Sequence, residues 1–217
     1  LTTGIVELVN GDNINFNRKA ESLVDKGAGS YWDGSAVDPI ADLEAGANFL
    51  RQVGKAQGGV VNVIFGSAAY SAFLNNQIVQ KRADIRNFSL DGVRAPQRDS
   101  VGAALHGEVS AGSYRARLWT YPEFYDNANG ESTPYLDADK VIILPENPRF
   151  KLAFAAVPQL IDEENPVAVK GAYLIGEMRD KYNAVHEYDI KSAGIAVPVA
   201  VDQIYTVKVV GGGSGSE

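Results

Sequence analysis

Residues 32–76 read WDGSAVDPIADLEAGANFLRQVGKAQGGVVNVIFGSAAYSAFLNN. The stretch contains a long amphipathic pattern, then a run of β-branched residues, then a second and shorter helical pattern. No group of residues within it is typical of catalysis. It therefore favours an architectural role over an enzymatic one.

Asp38 and Pro39 mark the start of the long helix. The aspartate side chain can accept a backbone N–H, and proline suits the first helical position because it has no N–H to lose. Apolar residues follow at spacings of three and four: Ile40, Leu43, Ala47, Leu50 and Gly54. This stripe predicts a helix over residues 39–57, ended by the glycine pair that follows. We expect the stripe to face returning strands near residues 199–209.

Residues 60–65, VVNVIF, predict a buried strand because β-branched side chains dominate the run. Gly66 and Ser67 then open a short helix that continues through Leu74, with Ser67 as its N-cap. Residues 78–85 predict another short helix. A strand, a tight turn and a helix together form an α/β unit.

The flanking sequence is mostly β in character, so the predicted fold class is α+β. Residues 4–9 and 13–17 alternate apolar and polar side chains around an Asn-Gly-Asp turn, which predicts a hairpin. The segment 18–26 predicts a polar connector, and 124–135 predicts a loop. Further strands are predicted at residues 105–109, 113–121, 140–144, 151–157, 173–182, 186–193 and 203–210.

The composition excludes several classes of function. The 217 residues include no cysteine, which rules out disulfides, thiolate metal sites and a cysteine nucleophile. The net charge of −7 disfavours binding to a phosphate backbone. The longest basic cluster in the sequence is a scattered set of five residues: Lys81, Arg82, Arg86, Arg94 and Arg98. No apolar run reaches the ~20 residues of a membrane span, and no signal-peptide pattern opens the chain.

The first residue is Leu1, and the only methionine is Met178. We therefore expect the sequence to be a processed product or part of a longer protein. The tail at residues 211–217, GGGSGSE, has nothing to bury and is expected to be mobile.

A serine hydrolase would have to use Ser67 as its nucleophile, with His106 or His186 as the base. Ser67 follows a strand and opens a helix, but the glycine that a nucleophile elbow carries two residues after its serine is missing. Capping of the helix explains Ser67 better. The same turn matches neither G-x-x-x-x-G-K-[ST] nor G-x-G-x-x-G, which disfavours nucleotide binding.

Metal-binding and glycosidase sites are also disfavoured. In the segment at residues 186–189, His186 and Tyr188 share one face of a predicted strand, while Glu187 and Asp189 share the other. A structural or surface role is the better interpretation, since no H-E-x-x-H pattern occurs. Two acidic clusters lie next to prolines or strand ends, as is typical of solvated turns: Asp162-Glu163-Glu164, and Asp137 with Asp139. We assign no catalytic, cofactor-binding or metal-binding residue.

An aromatic run borders the predicted loop: Trp119, Tyr121, Phe124 and Tyr125. Core packing beneath the loop is the simpler interpretation. A subunit contact is the alternative, because aromatic residues are enriched at interfaces.

The order and spacing of these elements resemble the lambda-type major capsid protein E family of tailed phages. The likeness covers most of the chain, and no short motif in it is diagnostic alone. Four segments of the sequence carry the likeness: YWD followed by VDPIADLEAGANFLRQVG, then VVNVIFGSAAYSAFLNN, VIILPENPRFKLAFAAVPQL and HEYDIKSAGIAVPVAVDQIYTVKVV.

The resemblance implies the Hong Kong phage-type capsid fold, with a long spine helix, a peripheral β-containing domain and an axial α/β domain. It places the end of an extended loop and the spine helix in residues 1–59, the axial domain in 60–160, and return strands of the peripheral domain in 161–210. The family's amino-terminal arm and most of the extended loop are missing ahead of Leu1, so we expect shell closure to be impaired without them. No crosslinking lysine and asparagine can be matched.

The function that the resemblance implies is structural and not enzymatic. The chain would be a subunit of a phage or prophage icosahedral capsid that self-assembles into hexameric and pentameric capsomers around packaged DNA. Its partners would be copies of itself, with scaffolding, portal and decoration proteins. Sequence-specific nucleic acid binding, a membrane and a cofactor are not expected. The location would be the virion capsid, assembled in the bacterial host cytoplasm. The alternatives are an encapsulin-like compartment shell, since one fold can serve both uses, and a less favoured serine-type hydrolase.

Overall fold

A computed structural model describes residues 2–7, 12–34, 36–84, 97–98, 102–127, 129–162, 165–180 and 185–211. The chain divides into two compact units, the first within residues 1–148 and 200–217 and the second within residues 149–199. Several sequence-based predictions lie outside the described residues: the hairpin turn at 8–11, Arg86, Arg94, Glu163, Glu164 and the tail at 212–217.

The described residues combine α-helices with many short strands, which agrees with the α+β class. The helices are α1 (Pro39–Gln52), α2 (Ser67–Asn75) and α3 (Gln77–Asp84). The strands of the first unit are β1 (Ile5–Glu7), β2 (Asn13–Asn15), β3 (Leu23–Asp25), β4 (Val60–Phe65), β5 (Gln97–Arg98), β6 (Ala104–Ala111), β7 (Tyr114–Thr120), β8 (Phe124–Asp126), β9 (Ser132–Pro134), β10 (Lys140–Pro145) and β17 (Tyr205–Lys208). Those of the second unit are β11 (Phe150–Phe154), β12 (Ala156–Asp162), β13 (Asn165–Lys170), β14 (Leu174–Asp180), β15 (Val185–Lys191) and β16 (Gly194–Pro198).

A seven-stranded mixed sheet organises the first unit, in the order β3-β17-β10-β4-β7-β6-β5. The pairs β17–β3 and β4–β7 are parallel, and the other neighbours are antiparallel. Side chains alternate between the two faces, as the period of a strand requires. In β10, Val141 and Ile143 join the large core cluster, whereas Ile142 and Leu144 join a smaller cluster on the opposite face.

Helix α1 packs its apolar stripe into the large core cluster. Its start follows the prediction: Pro39 is the first helical residue, and Asp38 Oδ1 accepts a hydrogen bond from the Ile40 N–H at 3.0 Å. The four stripe residues within the helix are at most 2% exposed: Ile40, Leu43, Ala47 and Leu50. The same cluster contains Tyr205, Val207 and Val209, which confirms that the stripe faces the returning strand. Burial of each large aliphatic side chain contributes about 1.5–3 kcal/mol.

The predicted end of this helix at residue 57 is wrong, because α1 ends at Gln52. The chain leaves the helix at Gly54, where an added Cβ would lie 2.5 Å from the carbonyl oxygen of Asp202. Lys55 then adopts a left-handed conformation with φ of 52°. The helix therefore ends before the glycine pair, with the Ala56 N–H donating to the carbonyl oxygen of Leu50 across the left-handed Lys55.

Other elements also differ from the predictions. The predicted loop at 124–135 contains the antiparallel hairpin β8–β9, and the predicted connector at 18–26 contains β3. The predicted strand at 151–157 is divided between β11 and β12, and β13 and β16 were not predicted. The remaining predicted strands and the two short helices are confirmed within a few residues at each end.

The second unit consists of two-stranded antiparallel ribbons: β11–β16, β12–β13 and β14–β15. Prolines occur in β12, β13 and β16. A two-stranded ribbon tolerates proline because each strand has one edge that needs no ladder hydrogen bond.

The division into peripheral and axial domains stays a prediction, since those names describe positions within a shell. The structure packs α1 and β4 into one core cluster. Among the described helices, none is long and apolar enough to span a membrane.

Candidate functional site

Ser67 does not cap α2. It is the exposed first residue of the helix, the N-cap is Gly66, and no side chain accepts a hydrogen bond at this end. Instead, the carbonyl oxygen of Ala138 accepts a hydrogen bond from the Ala69 N–H at 2.8 Å. The capping prediction is therefore wrong, because the turn at residues 137–140 supplies the acceptor from the backbone. The Ala69 N–H is one of the backbone groups that would bind an anion at this helix N-terminus, and it is already bonded to the turn.

His106 lies half-buried on β6 and contacts groups other than Ser67. Its Nε2 is 2.8 Å from Oγ1 of Thr120, and its ring lies 4.4 Å from that of Tyr70. Within the part of the chain that the structure describes, no hydrogen bond joins Ser67 to His106. The proposed hydrolase pair is not formed, and His106 links β6, β7 and α2 instead.

Burial of His106 predicts a pH-dependent stability. Desolvation lowers the pKa of His106 below its ordinary value of about 6.5. The unfolded chain then binds a proton that the folded chain does not, so stability falls as the pH drops below about 6.5. We expect the free energy of unfolding to decline less between about pH 7 and pH 5 in a His106→Gln variant than in the wild type. Urea denaturation at each pH measures this, and equal declines in the two proteins would contradict it.

His186 faces the same side of β15 as Tyr188, as predicted, and their ring centroids are 4.6 Å apart. Its Nε2 lies 2.5 Å from Oε1 of Glu177 on β14, while Asp189 forms an ion pair with Lys191 at 2.6 Å. Over the described residues, no group of three or more histidine and acidic side chains could hold a metal ion. The segment is an exposed strand surface.

The charged clusters form local ion pairs at turns. Asp137 pairs with Lys140 at 2.6 Å, and Asp139 lies 3.5 Å from Lys208. Arg82 is 2.6 Å from Asp38, so it reinforces the start of α1. These contacts neutralise the acidic side chains with cationic partners, as is typical of solvated turns.

The aromatic run is divided between a cavity and an exposed hairpin. Trp119 and Tyr121 are half-buried and line an apolar cavity of about 460 Å³ on the sheet face that carries Ile142 and Leu144. The Trp119 Nε1–H donates to Oδ1 of Asn62 at 3.2 Å. The other two aromatic residues, Phe124 and Tyr125, lie on β8 and are 59% and 43% exposed. Core packing is therefore the wrong interpretation for these two side chains.

Two features of the structure were not predicted from the sequence. The first is Asn76, which is 4% exposed and joins both short helices to the segment before α1. An asparagine placed directly before a helical pattern is a capping signal that could have revealed it. The second feature is a set of exposed apolar side chains, one directly before β14 and three on the β14–β15 ribbon: Tyr173, Ile175, Tyr188 and Ile190. Their alternation with polar residues was visible in the sequence, but their exposure was not.

Comparison with curated proteins finds no match to this chain. Among solved structures, the chain is similar to a candidate prophage capsid protein from E. coli CFT073, with a TM-score of 0.66 and 18% sequence identity. The alignment covers 96% of this chain and 60% of that protein, so this chain spans about three fifths of its length. The likeness shows a shared fold.

Two other solved structures align less closely. One is a phage-related protein from Bordetella bronchiseptica RB50, with a TM-score of 0.48, 10% identity, and coverage of 88% of this chain and 56% of that one. The other is a virus-like particle from Pyrococcus furiosus, with a TM-score of 0.34, 13% identity, and coverage of 87% and 57%. These scores are low, so the fold assignment rests on the E. coli protein.

The sequence itself identifies the family. Residues 10–209 match the family model of phage major capsid protein E, which covers nearly the whole of the chain. The match agrees with the mixed helix and strand fold and with the prophage capsid likeness. The chain therefore belongs to the phage major capsid protein E family, a family of structural capsid proteins and not of enzymes.

Proposed function

We propose that this chain is a structural subunit of a phage or prophage icosahedral capsid that self-assembles into hexameric and pentameric capsomers around packaged DNA. The observation that carries the proposal is the match of residues 10–209 to the capsid family. The net charge of −7 supports it, because an acidic shell does not trap the DNA that it encloses.

The finer fold assignment belongs to the same proposal. The Hong Kong phage-type capsid fold would use α1 as its spine helix. Residues 1–59 would form the end of an extended loop and this peripheral-domain spine helix, and residues 161–210 the return strands of the peripheral domain. Residues 60–160 would form the axial domain. The 14-residue length of α1 and its burial against the sheet support a structural role for this helix.

Copies of the chain are its main partners in this proposal, and scaffolding, portal and decoration proteins are further ones. Assembly takes place in the bacterial host cytoplasm, and the product is the virion capsid. Exposed apolar side chains support association, because contiguous apolar patches on a protein surface mark interaction sites.

Assembly of the purified protein tests the proposal. The protein is expressed with any sequence that its gene encodes upstream of Leu1, and is examined by electron microscopy and sedimentation velocity. We expect rings or closed particles that appear above a threshold concentration. Monodisperse monomers at high concentration would overturn the proposal. Particles that enclose a cargo protein, from a gene without terminase and portal neighbours, would favour the encapsulin-like compartment instead.

A further inference from the structure

The cavity of about 460 Å³ on the sheet face favours an apolar occupant. All the residues that line it belong to the first unit. Three aliphatic side chains of the sheet are among them: Ile64, Ile142 and Leu144. The Asn62 amide also lines it, but its Nδ2 donates to the carbonyl oxygens of Pro145 and Glu146, at 3.1 and 3.2 Å. Its Oδ1 accepts from the Trp119 Nε1–H. Because these polar groups are already bonded to each other, an apolar side chain suits the cavity better than a polar one.

A row of three tyrosines extends from the cavity onto the β8–β9 hairpin. Tyr121 and Tyr135 line the cavity, and their ring centroids are 5.9 Å apart. The Tyr135 ring lies 5.0 Å from that of Tyr125, and both of these side chains are exposed. We call Tyr121, Tyr125 and Tyr135 the tyrosine row. Side chains on one face of an extended peptide repeat about every 7 Å, which is close to these ring spacings. The row therefore suits an extended segment that begins in the cavity.

The hairpin that carries the row is acidic. Between residues 118 and 139 the sequence contains no lysine, arginine or histidine, but it contains five carboxylates: Glu123, Asp126, Glu131, Asp137 and Asp139. The last two form ion pairs with Lys140 and Lys208. Across the residues that the structure describes, no lysine or arginine forms an ion pair with any of the first three. The row therefore lies in a region of uncompensated negative charge.

Glu123 brings this charge to the edge of the cavity. The Tyr135 N–H donates to the carbonyl oxygen of Glu123 at 3.2 Å, which continues the β8–β9 register and puts the two side chains on one face. The Glu123 carboxylate lies against Gly102, where an added Cβ would be 2.6 Å from its Oε1. Gly102 precedes Ala103, which lines the cavity. An exposed carboxylate thus lies beside both the cavity and the tyrosine row.

The charge of this surface selects its partner. A cation gains from the carboxylates and also from the faces of the tyrosine rings, which attract lysine and arginine side chains. A second copy of this chain carries the same net charge of −7, so it is repelled and not attracted by the acidic hairpin. Charge complementarity therefore favours a basic segment of a different protein.

We infer that the cavity and the tyrosine row are a docking site for an extended, basic and apolar peptide segment of another protein. A large apolar side chain of that segment enters the cavity. A lysine or arginine two residues away lies on the same face of the segment and contacts the tyrosine rings and the Glu123 carboxylate. The inference goes beyond the proposed function, because it assigns a surface and a partner chemistry to a subunit that need not be assembled.

Three dye-labelled synthetic peptides of equal length test the partner chemistry by fluorescence polarisation. The first repeats the unit Leu-Ser-Arg-Ser, so that leucine and arginine share one face when the peptide is extended. The second has glutamate in place of each arginine, and the third has serine in place of each leucine. We expect the first peptide to bind at least ten-fold more tightly than either of the others, and added salt to weaken its binding. Equal binding of the first and second peptides, or no binding of the first, would overturn the inference.

Two matched pairs of variants locate the site. Tyr125→Ser removes a ring of the row, whereas Phe124→Ser removes an exposed ring on the opposite face of β8. Glu123→Gln and Asp126→Asn each remove one negative charge, from the row face and from the opposite face respectively. We expect Tyr125→Ser to weaken binding of the first peptide about ten-fold or more and Glu123→Gln about three-fold or more. Phe124→Ser and Asp126→Asn should stay within about two-fold of the wild type. Equal effects within either pair would show that the peptide binds the acidic protein without using this site.

Tryptophan fluorescence reports on the cavity itself. The sequence contains two tryptophans, of which Trp32 is 1% exposed, so quenching by acrylamide reports mainly on Trp119. We expect the first peptide to lower the quenching constant about two-fold, and an unchanged constant would show that nothing enters the cavity.

Sedimentation velocity separates this inference from the alternatives. Self-association that Tyr125→Ser abolishes, in a protein that does not bind the first peptide, would show that a second copy occupies the row and would overturn the inference. The peptide experiments use unassembled subunits at low concentration. Their failure therefore leaves the proposed function unaffected, and a failure of assembly leaves the docking site unaffected.

Discussion

Replacement of Gly66 by alanine is expected to lower the free energy of unfolding by about 3 kcal/mol or more. An added Cβ would lie 2.1 Å from the carbonyl oxygen of Asp137 and 2.6 Å from that of Ala138. These are backbone atoms of a turn held by two hydrogen bonds, from the Gly66 N–H to Lys140 and from the Ala69 N–H to Ala138. A shift of the turn away from the new Cβ would strain these bonds. Urea denaturation of the Gly66→Ala protein measures the effect.

Gly59→Ala is the matched control. No atom outside its neighbours lies within 4 Å of the position that the new Cβ would occupy. The only expected change is a smaller entropy of the unfolded chain, which stabilises by up to about 1 kcal/mol. Equal losses of stability in the two variants would show that steric contact with the 137–140 turn is not the cause.

The second large effect is expected for Asn76→Asp, which should cost about 3–5 kcal/mol. The Asn76 Nδ2–H groups donate to the carbonyl oxygens of Trp32 and Val37, both at 3.0 Å. Its Oδ1 accepts from the backbone N–H of Ile78 at 2.9 Å, which caps α3. A carboxylate would keep the cap but lose both donors, and would place a buried negative charge against two carbonyl oxygens.

Asn75→Asp makes the same chemical change at the neighbouring exposed position. We expect it to change stability by less than about 0.5 kcal/mol. Thermal and urea denaturation compare the two proteins. The deficit of the Asn76→Asp protein should shrink as the pH falls, because burial favours the protonated carboxyl group, which can donate one hydrogen bond again. A deficit that is equal for both variants would contradict the assignment of Asn76 as a buried link.

Local chemistry made part of the fold predictable. Asp38 and Pro39 specify the start of α1 through contacts within one turn, and β-branched side chains specify β4. The end of α1 was predicted wrongly, because the helix ends at Gln52 and the left-handed residue that follows is Lys55, a residue type that does not signal a helix end. A rule based on the nearest glycine pair cannot anticipate a left-handed lysine.

The functional surfaces were predictable only in part. The sequence correctly placed His186 and Tyr188 on one face of a strand, because alternation is a property of any strand. Whether another element covers that face depends on tertiary packing, which the pattern does not contain. The capsid family followed from the order and spacing of many elements and from no single residue.

The position of β17 in the sheet has a consequence for synthesis of the protein. β17 lies between β3 and β10, and within the described sheet β3 is hydrogen-bonded to β17 alone. On the ribosome, β3 emerges early and has no sheet partner until residues 205–208 have been translated. A product that stops before β17 leaves an edge of β10 open to pairing with other chains. Translation through β17 is therefore the step that gives β3 its partner and closes this edge of β10.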